Sequence, residues 1–236
     1  MKFLLMVMTD EAAARAMSAD ERDRRVAEHG AFGRELRVAG KWVSSARLRF
    51  APEATTIRRD GVVTDGPFAE TKEVLGGFYL IEAESTAEAV AWAKKLPLGD
   101  AGAVEVRPAA TGATWRGPLA GAKKFTLMIV MSEERIASSS VDDVFASIDH
   151  HYELSLELAE QRKFVSSRGL GPAASSLTIR SQNGERVVTD GPFAETKEVV
   201  AGYFVVSCDN MAEAIAWGKR LLFTHDAIEV RPVWEA

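Results

Sequence analysis

Two histidines and two aspartates recur at matching places along the 236-residue chain, and side chains of these types can move protons. His29 and His151 each fall on the apolar face of a helical pattern. Val26, His29, Phe32/Gly33, Leu36 and Ala39 recur at three or four residues, as do Ile148, His151, Ser155 and Leu158. Imidazole has an unperturbed pKa of about 6.5, which suits general acid–base catalysis near neutrality. Asp65 and Asp190 each open a DGPF segment, where a carboxylate can orient an imidazole or stabilise its protonated form. A plainer reading stands beside each. A histidine on an apolar helix face is often a hydrogen-bonded core residue, and Asp before Gly-Pro often starts a turn. The sequence leaves open whether Asp65 meets His29 or His151.

Other residues offer less. Arg107 and Arg231, each beside a proline at a strand end, can receive a substrate carboxylate in bidentate fashion or pair with a neighbouring Glu. Glu70, Lys72 and Glu73, with Glu195, Lys197 and Glu198, read as an ion-paired rim, and Phe68 and Phe193 as core anchors. Zinc spacings such as CxxC and HExxH are absent, so no metal is expected. No glycine-rich phosphate loop follows a strand, and no cofactor is expected. Cys208 is the single cysteine, which disfavours a disulfide framework and a catalytic thiol repeated in both halves.

The pairing of these residues follows from an internal repeat. Val62–Val74 and Val187–Val199 both read VVTDGPFAETKEV, thirteen residues without a difference. KFLLMVM from Lys2 aligns with KFTLMIVM from Lys124, and both copies close on Glu-Val-Arg-Pro, at 105–108 and 229–232. The expected division is a first module at 1–108, a Gly-, Pro- and Thr-containing linker at 109–122, and a second module at 123–236.

Each copy gives the same elements. Apolar runs at Phe3–Met8 and Phe125–Met131 read as buried strands. Ser18 and Glu21 form a capping box for the first helix, with Ser140 and Asp143 a looser version. Strands follow around Trp42–Leu48, Thr55–Val63 and Gly77–Ala83, with turns at Arg59-Asp60-Gly61 and Gln182-Asn183-Gly184. A second helix begins at Ser85 or Asn210, and a last strand ends at Arg107-Pro108 or its counterpart. The order predicts an α+β fold of two ferredoxin-like modules, each an antiparallel sheet with helices on one face. Packing the two open sheet faces together as an intramolecular pseudo-dimer would bury them and leave a small-molecule pocket between the modules.

The TDGPFAETKE segments, the helices carrying His29 and His151, and the terminal EVRP resemble the DGPF family, a branch of the YCII-related proteins. The resemblance implies a dimeric α+β barrel. It also implies relatives that include lyases and isomerases of small ring compounds, with a His/Asp catalytic pair: here His29, Asp65, His151 and Asp190. Some members are linked to transcription-initiation factors, so the alternative is a non-enzymatic module that binds a ligand or a protein partner there. A net charge of −5 argues against direct nucleic-acid contact, and no membrane segment is evident, so a cytoplasmic protein is expected. Oligomerisation beyond the pseudo-dimer is left open.

Overall fold

Alternation along the strands sets which side chains meet the helices, and the computed structural model shows it throughout. All residues are described except Glu70, Asp100, Ala101, Thr111, Asn183, Glu195, Glu235 and Ala236. The expected roles of Glu70 and Glu195, and the Asn183 of one expected turn, therefore lie outside the described residues. The first copy contains β1 (Lys2–Asp10), α1 (Glu11–Ala16), α2 (Ala19–Val38), β2 (Trp42–Arg47), β3 (Thr55–Arg58), β4 (Val63–Asp65), β5 (Glu73–Glu82), α3 (Thr86–Ala93) and β6 (Ala103–Ala109). The second contains β7 (Lys123–Ser132), α4 (Glu133–Ser138), α5 (Val141–Glu160), β8 (Phe164–Gly169), β9 (Leu177–Gln182), β10 (Glu185–Asp190), β11 (Glu198–Cys208), α6 (Met211–Leu221) and β12 (Ala227–Pro232). Among the described residues no helix is long and apolar enough to cross a membrane.

The fold is α+β, with two six-stranded antiparallel sheets, and the chain divides into two compact units that are not the two sequence copies. One unit holds 1–47, 71–110 and 170–195; the other holds 48–70, 111–169 and 196–236. The first sheet runs β10-β9-β6-β1-β5-β2 and the second β4-β3-β12-β7-β11-β8. Each sheet thus takes its outer hairpin from the opposite copy. Hairpin β9–β10 pairs along β6 from Ala103↔Arg180 to Val106↔Leu177. Hairpin β3–β4 pairs along β12 from Ala227↔Arg58 to Val230↔Thr55. The sequence names the hairpins but not their partners, because an exposed strand edge accepts any strand of suitable register.

Within the first unit, Phe3, Leu5, Ile81, Val104, Val106 and Ile179 pack under Phe32 and Leu36 of α2 and Ala89 and Ala93 of α3. Within the second, Phe125, Leu127, Phe204, Ile228 and Ile57 pack under Leu154 and Leu158 of α5 and Trp217 of α6. Each such large apolar side chain contributes about 1.5–3 kcal/mol by leaving water. Both long helices begin with a capping box, Ser18 with Glu21 and Ser140 with Asp143. Their buried stripes are shorter than the periodicity suggests. Val26 is exposed and Ile148 is 38% exposed, because the first two turns of each helix extend past the core, and Ala39 is exposed at the C-cap of α2.

The exchange has a direct consequence for a half-chain. Residues 1–111 alone hold β3–β4 without β12, and β6 without β9. Two such halves can complete each other, so the fragment is expected to be a dimer by size exclusion with light scattering. A folded monomeric fragment would show that the hairpin closes on its own copy.

Candidate functional site

The two shared motifs meet crosswise. The Phe193 backbone N–H, in the second DGPF loop, donates to Glu105 of the first EVRP at 3.0 Å. Symmetrically, the Phe68 N–H donates to Glu229 at 3.0 Å. Glu105 also pairs with Arg107, and Glu229 with Arg231. All four side chains are buried, with Glu229 at 0% exposure. The carbonyl of Phe68 accepts from Arg58 at 2.6 Å, and that of Phe193 from Arg180 at 3.0 Å. Those arginines reach on to Glu198 and Glu73 respectively. Lys72 pairs with Asp10, so Lys72, Glu73 and Glu198 belong to an ion-paired rim. Phe68 and Phe193 are half-buried and lie outside both helix-side cores, which corrects their expected role as anchors. Their peptide groups are what the sheet grips. The glycines after Asp65 and Asp190 have φ of +98° and +92°, a backbone state that favours glycine.

Burial pushes the Glu229 carboxyl above its usual range, opposed by the Arg231 guanidinium and the Phe68 amide. Arg107 and Arg231 therefore lie against glutamates of their own strands.

Asp65 and Asp190 are exposed at the ends of β4 and β10. In the first unit, Asp190 stands four strand spacings, roughly 19 Å, from the strand whose Tyr79 meets His29. In the second, Asp65 stands four spacings from the strand whose Phe204 packs on His151, again roughly 19 Å. Within a unit, then, histidine and aspartate are not brought together.

Each imidazole instead has a partner that the sequence pattern did not single out. His29 Nδ1 lies 3.0 Å from the Tyr79 hydroxyl, and Phe32 sits edge-on to the phenol. Burial pushes the Tyr79 phenol up to about 12, so it stays protonated, and its hydroxyl also lies 3.4 Å from the His29 carbonyl, to which it can donate. Burial, with the charges of Arg25 and Arg47, lowers the His29 pKa to about 4.

In the second copy Phe204 stands where the first has Tyr79, since both pair with the equivalent leucines Leu127 and Leu5. The lost phenol is replaced by His225, whose Nε2 lies 2.8 Å from His151 Nε2. His225 Nδ1 is buried and has no hydrogen-bond partner. A proton there would be an orphaned buried donor, a rare and costly arrangement. Its proton therefore sits on Nε2 and is donated to His151, which carries its own on Nδ1. Burial, with the neighbouring His150, lowers His151 to about 4; burial and the other histidines lower His225 to about 3. Asp226, beside His225, is engaged elsewhere, accepting from Ser132 N–H at 2.7 Å and Arg135 at 2.5 Å.

Some signal for Tyr79 was present, but none for His225. Strand alternation places Tyr79 on the face that carries Leu5, Phe32 and Ile81, where a hydroxyl needs a partner. His225 has no histidine counterpart in copy one, so the repeat does not point to it. Cys208 is buried, and burial raises its thiol to about 12, leaving it a core residue. Among the described residues no group of three or more His, Cys, Asp or Glu could hold a metal ion.

The chain belongs to the YCII-related domain family, whose model matches residues 1–111 and again 116–236. An uncharacterized protein of Rhizobium meliloti (strain 1021) is 39% identical over 115 residues, covering 47% of this chain and 93% of that protein. That relative is thus about one module long. Among solved structures, a putative chlorite dismutase, TA0507, has 7% identity and a TM-score of 0.45, covering 99% of this chain and 94% of its own. A mutant chlorite dismutase from Candidatus Nitrospira defluvii has 9% identity and a TM-score of 0.46, covering 99% and 91%. A heme-binding protein from Thermus thermophilus has 10% identity and a TM-score of 0.45, also covering 99% and 91%. At these values none of their ligands carries over to this chain.

Two outcomes follow from the site. Glu229→Ala leaves Arg231 buried without its carboxylate and should cost about 3–5 kcal/mol in denaturant unfolding; a loss under about 1 kcal/mol would mean the pair does not hold the loop. The second concerns pH. The folded pKa values of His29, His151 and His225 lie below the unfolded 6.5, so the unfolded chain binds more protons from pH 6.5 down to about 4 for the first two and about 3 for His225. Their contribution to stability is complete above pH 6.5, erodes as pH falls below it, and is lost once the folded values are passed. Imidazole ¹⁵N NMR should show His29 and His151 midpoints near 4, with the His151 proton on Nδ1. Midpoints near 6.5 would contradict the burial of both rings.

Proposed function

We propose that the chain is a small-molecule-binding protein in which His29 and His151 act on a bound ligand as lyase- or isomerase-like acid–base groups. The observation that supports this is the same in both units. A half-buried imidazole at the same place on a long helix, kept neutral, is hydrogen-bonded to a second proton-bearing group. A neutral imidazole can accept at one nitrogen and donate at the other, so Tyr79–His29 and His225–His151 are each a two-group path for a proton. The low pKa makes each ring a weak base until an anionic ligand approaches and favours its protonated form. Such a site suits a substrate that develops negative charge next to the ring, as an enolisable ring compound does when it loses a proton. Family resemblance supports the same class. In this reading Tyr79 and His225 are the positioning residues, while Asp65 and Asp190 build the turns.

Solvent exchange provides the test. The whole chain is incubated in D₂O with a panel of enolisable cyclic ketones and lactones, and deuterium incorporation is read by mass spectrometry. For at least one member the wild type should exchange roughly 10²-fold faster than His29→Gln/His151→Gln. Tyr79→Phe and His225→Gln should each slow exchange with smaller changes in KM. If wild type and double variant, both shown to be folded by thermal unfolding, exchange every panel member at equal rates, the acid–base reading fails.

A further inference from the structure

The second sheet carries a buried cation that has no counter-charge among the described residues. Phe204 and Val206 of β11 point into the helix-side core, so Tyr203 and Val205 face the other way. Arg168 of β8 is directly opposite Tyr203 and shares that face. Met128 of β7 is opposite Tyr203 on its other side, and Glu229 is opposite Met128. One residue row further, Thr126 is flanked by Val205 and Arg231. The face away from the helices is thus crossed by Glu229, Tyr203 and Arg168, with Arg231 and Thr126 alongside.

Arg168 is 5% exposed. Its guanidinium donates to the Ser167 carbonyl at 2.5 Å and to the Thr114 hydroxyl at 3.2 Å, while its Nε is buried and has no hydrogen-bond partner. Glu229 is already matched by Arg231, and Glu198 by Arg58. Among the described residues Arg168 has no carboxylate at ion-pair distance. Burial lowers its pKa, the sign of a charge held out of water. The Thr126 hydroxyl, 0% exposed, likewise has no hydrogen-bond partner. The first copy differs at these places: Ala46 occupies the place of Arg168, opposite Phe78, and Leu4 that of Thr126.

We propose that Arg168 is the anchor of a binding site for a small organic carboxylate, on the face of the second sheet away from the helices. A buried guanidinium without an anion is unfavourable, and a planar carboxylate can take its Nε–H together with an Nη–H in a two-point contact. Arg168 carries a single unmatched charge, so a monoanion satisfies it and a dianion overshoots. Thr126 supplies a hydroxyl on the same face, and Met128 and Val205 offer apolar surface for the body of the acid. The site is on the opposite face of the sheet from His151. It therefore stands apart from the acid–base chemistry proposed above, and either can fail alone.

The experiment follows the Nε–H resonance of Arg168 in the full, ¹⁵N-arginine-labelled chain, assigned by its loss in Arg168→Met. Acetate and benzoate are titrated at constant ionic strength, with chloride and sulfate as comparisons. The expected result is a saturable shift with acetate or benzoate, at concentrations at least ten-fold below those needed for chloride or sulfate. Arg168→Met should lose carboxylate binding in calorimetry while unfolding cooperatively. If that variant does not fold, Thr126→Val, which keeps the shape and removes the hydroxyl, should weaken binding several-fold. A resonance that none of the four anions moves overturns the site. One that chloride moves as readily as the carboxylates overturns the ligand class.

Discussion

A glutamate that accepts a backbone N–H from a loop contributed by the other sequence copy is the contact on which both units depend. Glu105 holds Phe193 and Glu229 holds Phe68, each carboxylate balanced by the arginine two residues along its strand. A carboxylate buried this deeply is tolerable only with a cation and a directed donor, and both are present. The arrangement links the two motifs that recur in the sequence. DGPF supplies a turn with an exposed amide and a glycine at positive φ, and EVRP supplies the acid that reads it. Loss of either would unseat the hairpin at the end of its sheet.

The repeat, the antiparallel α+β elements, both capping boxes and the family resemblance were legible because they rest on local patterns. Periodicity placed His29 and His151 on their helices correctly as well. What sequence could not supply was the partner of each group. Arg107 and Arg231 each had a glutamate two residues away, a distance that on a strand puts both side chains on one face, yet the choice between that glutamate and a substrate needs the burial of the pair. The hairpin exchange was hidden for a related reason. Nothing in Thr55–Asp65 distinguishes β6 from β12 as a neighbour, because the two strands are nearly the same sequence.

The two copies share a frame and differ in what they hang on it. In one, a phenol fixes the imidazole through Nδ1; in the other, a second imidazole does so through Nε2. Tyr79 and Phe204 occupy the same register, so the change is a single oxygen atom compensated by a histidine from a different loop. The opposite sheet faces diverge too, with Leu4, Phe78 and Ala46 in one and Thr126, Tyr203 and Arg168 in the other. A pair of modules joined in one chain can differ in this way, whereas two identical subunits cannot.

The exchanged hairpin also sets an order of events during synthesis. The Phe68–Glu229 contact spans 161 residues, so β3 and β4 emerge from the ribosome long before the strand they lie against. At translation rates of about 5–20 residues per second, that interval is roughly ten to thirty seconds. Through it the hairpin presents a free edge of unpaired amides and carbonyls, the kind of surface to which a stray strand from another nascent chain can add. The hairpin from the second copy is spared this delay, because β6 is already made when β9 appears. Chaperone dependence in the cell would therefore fall unevenly on the two halves, heaviest on the stretch from Thr55 to Asp65.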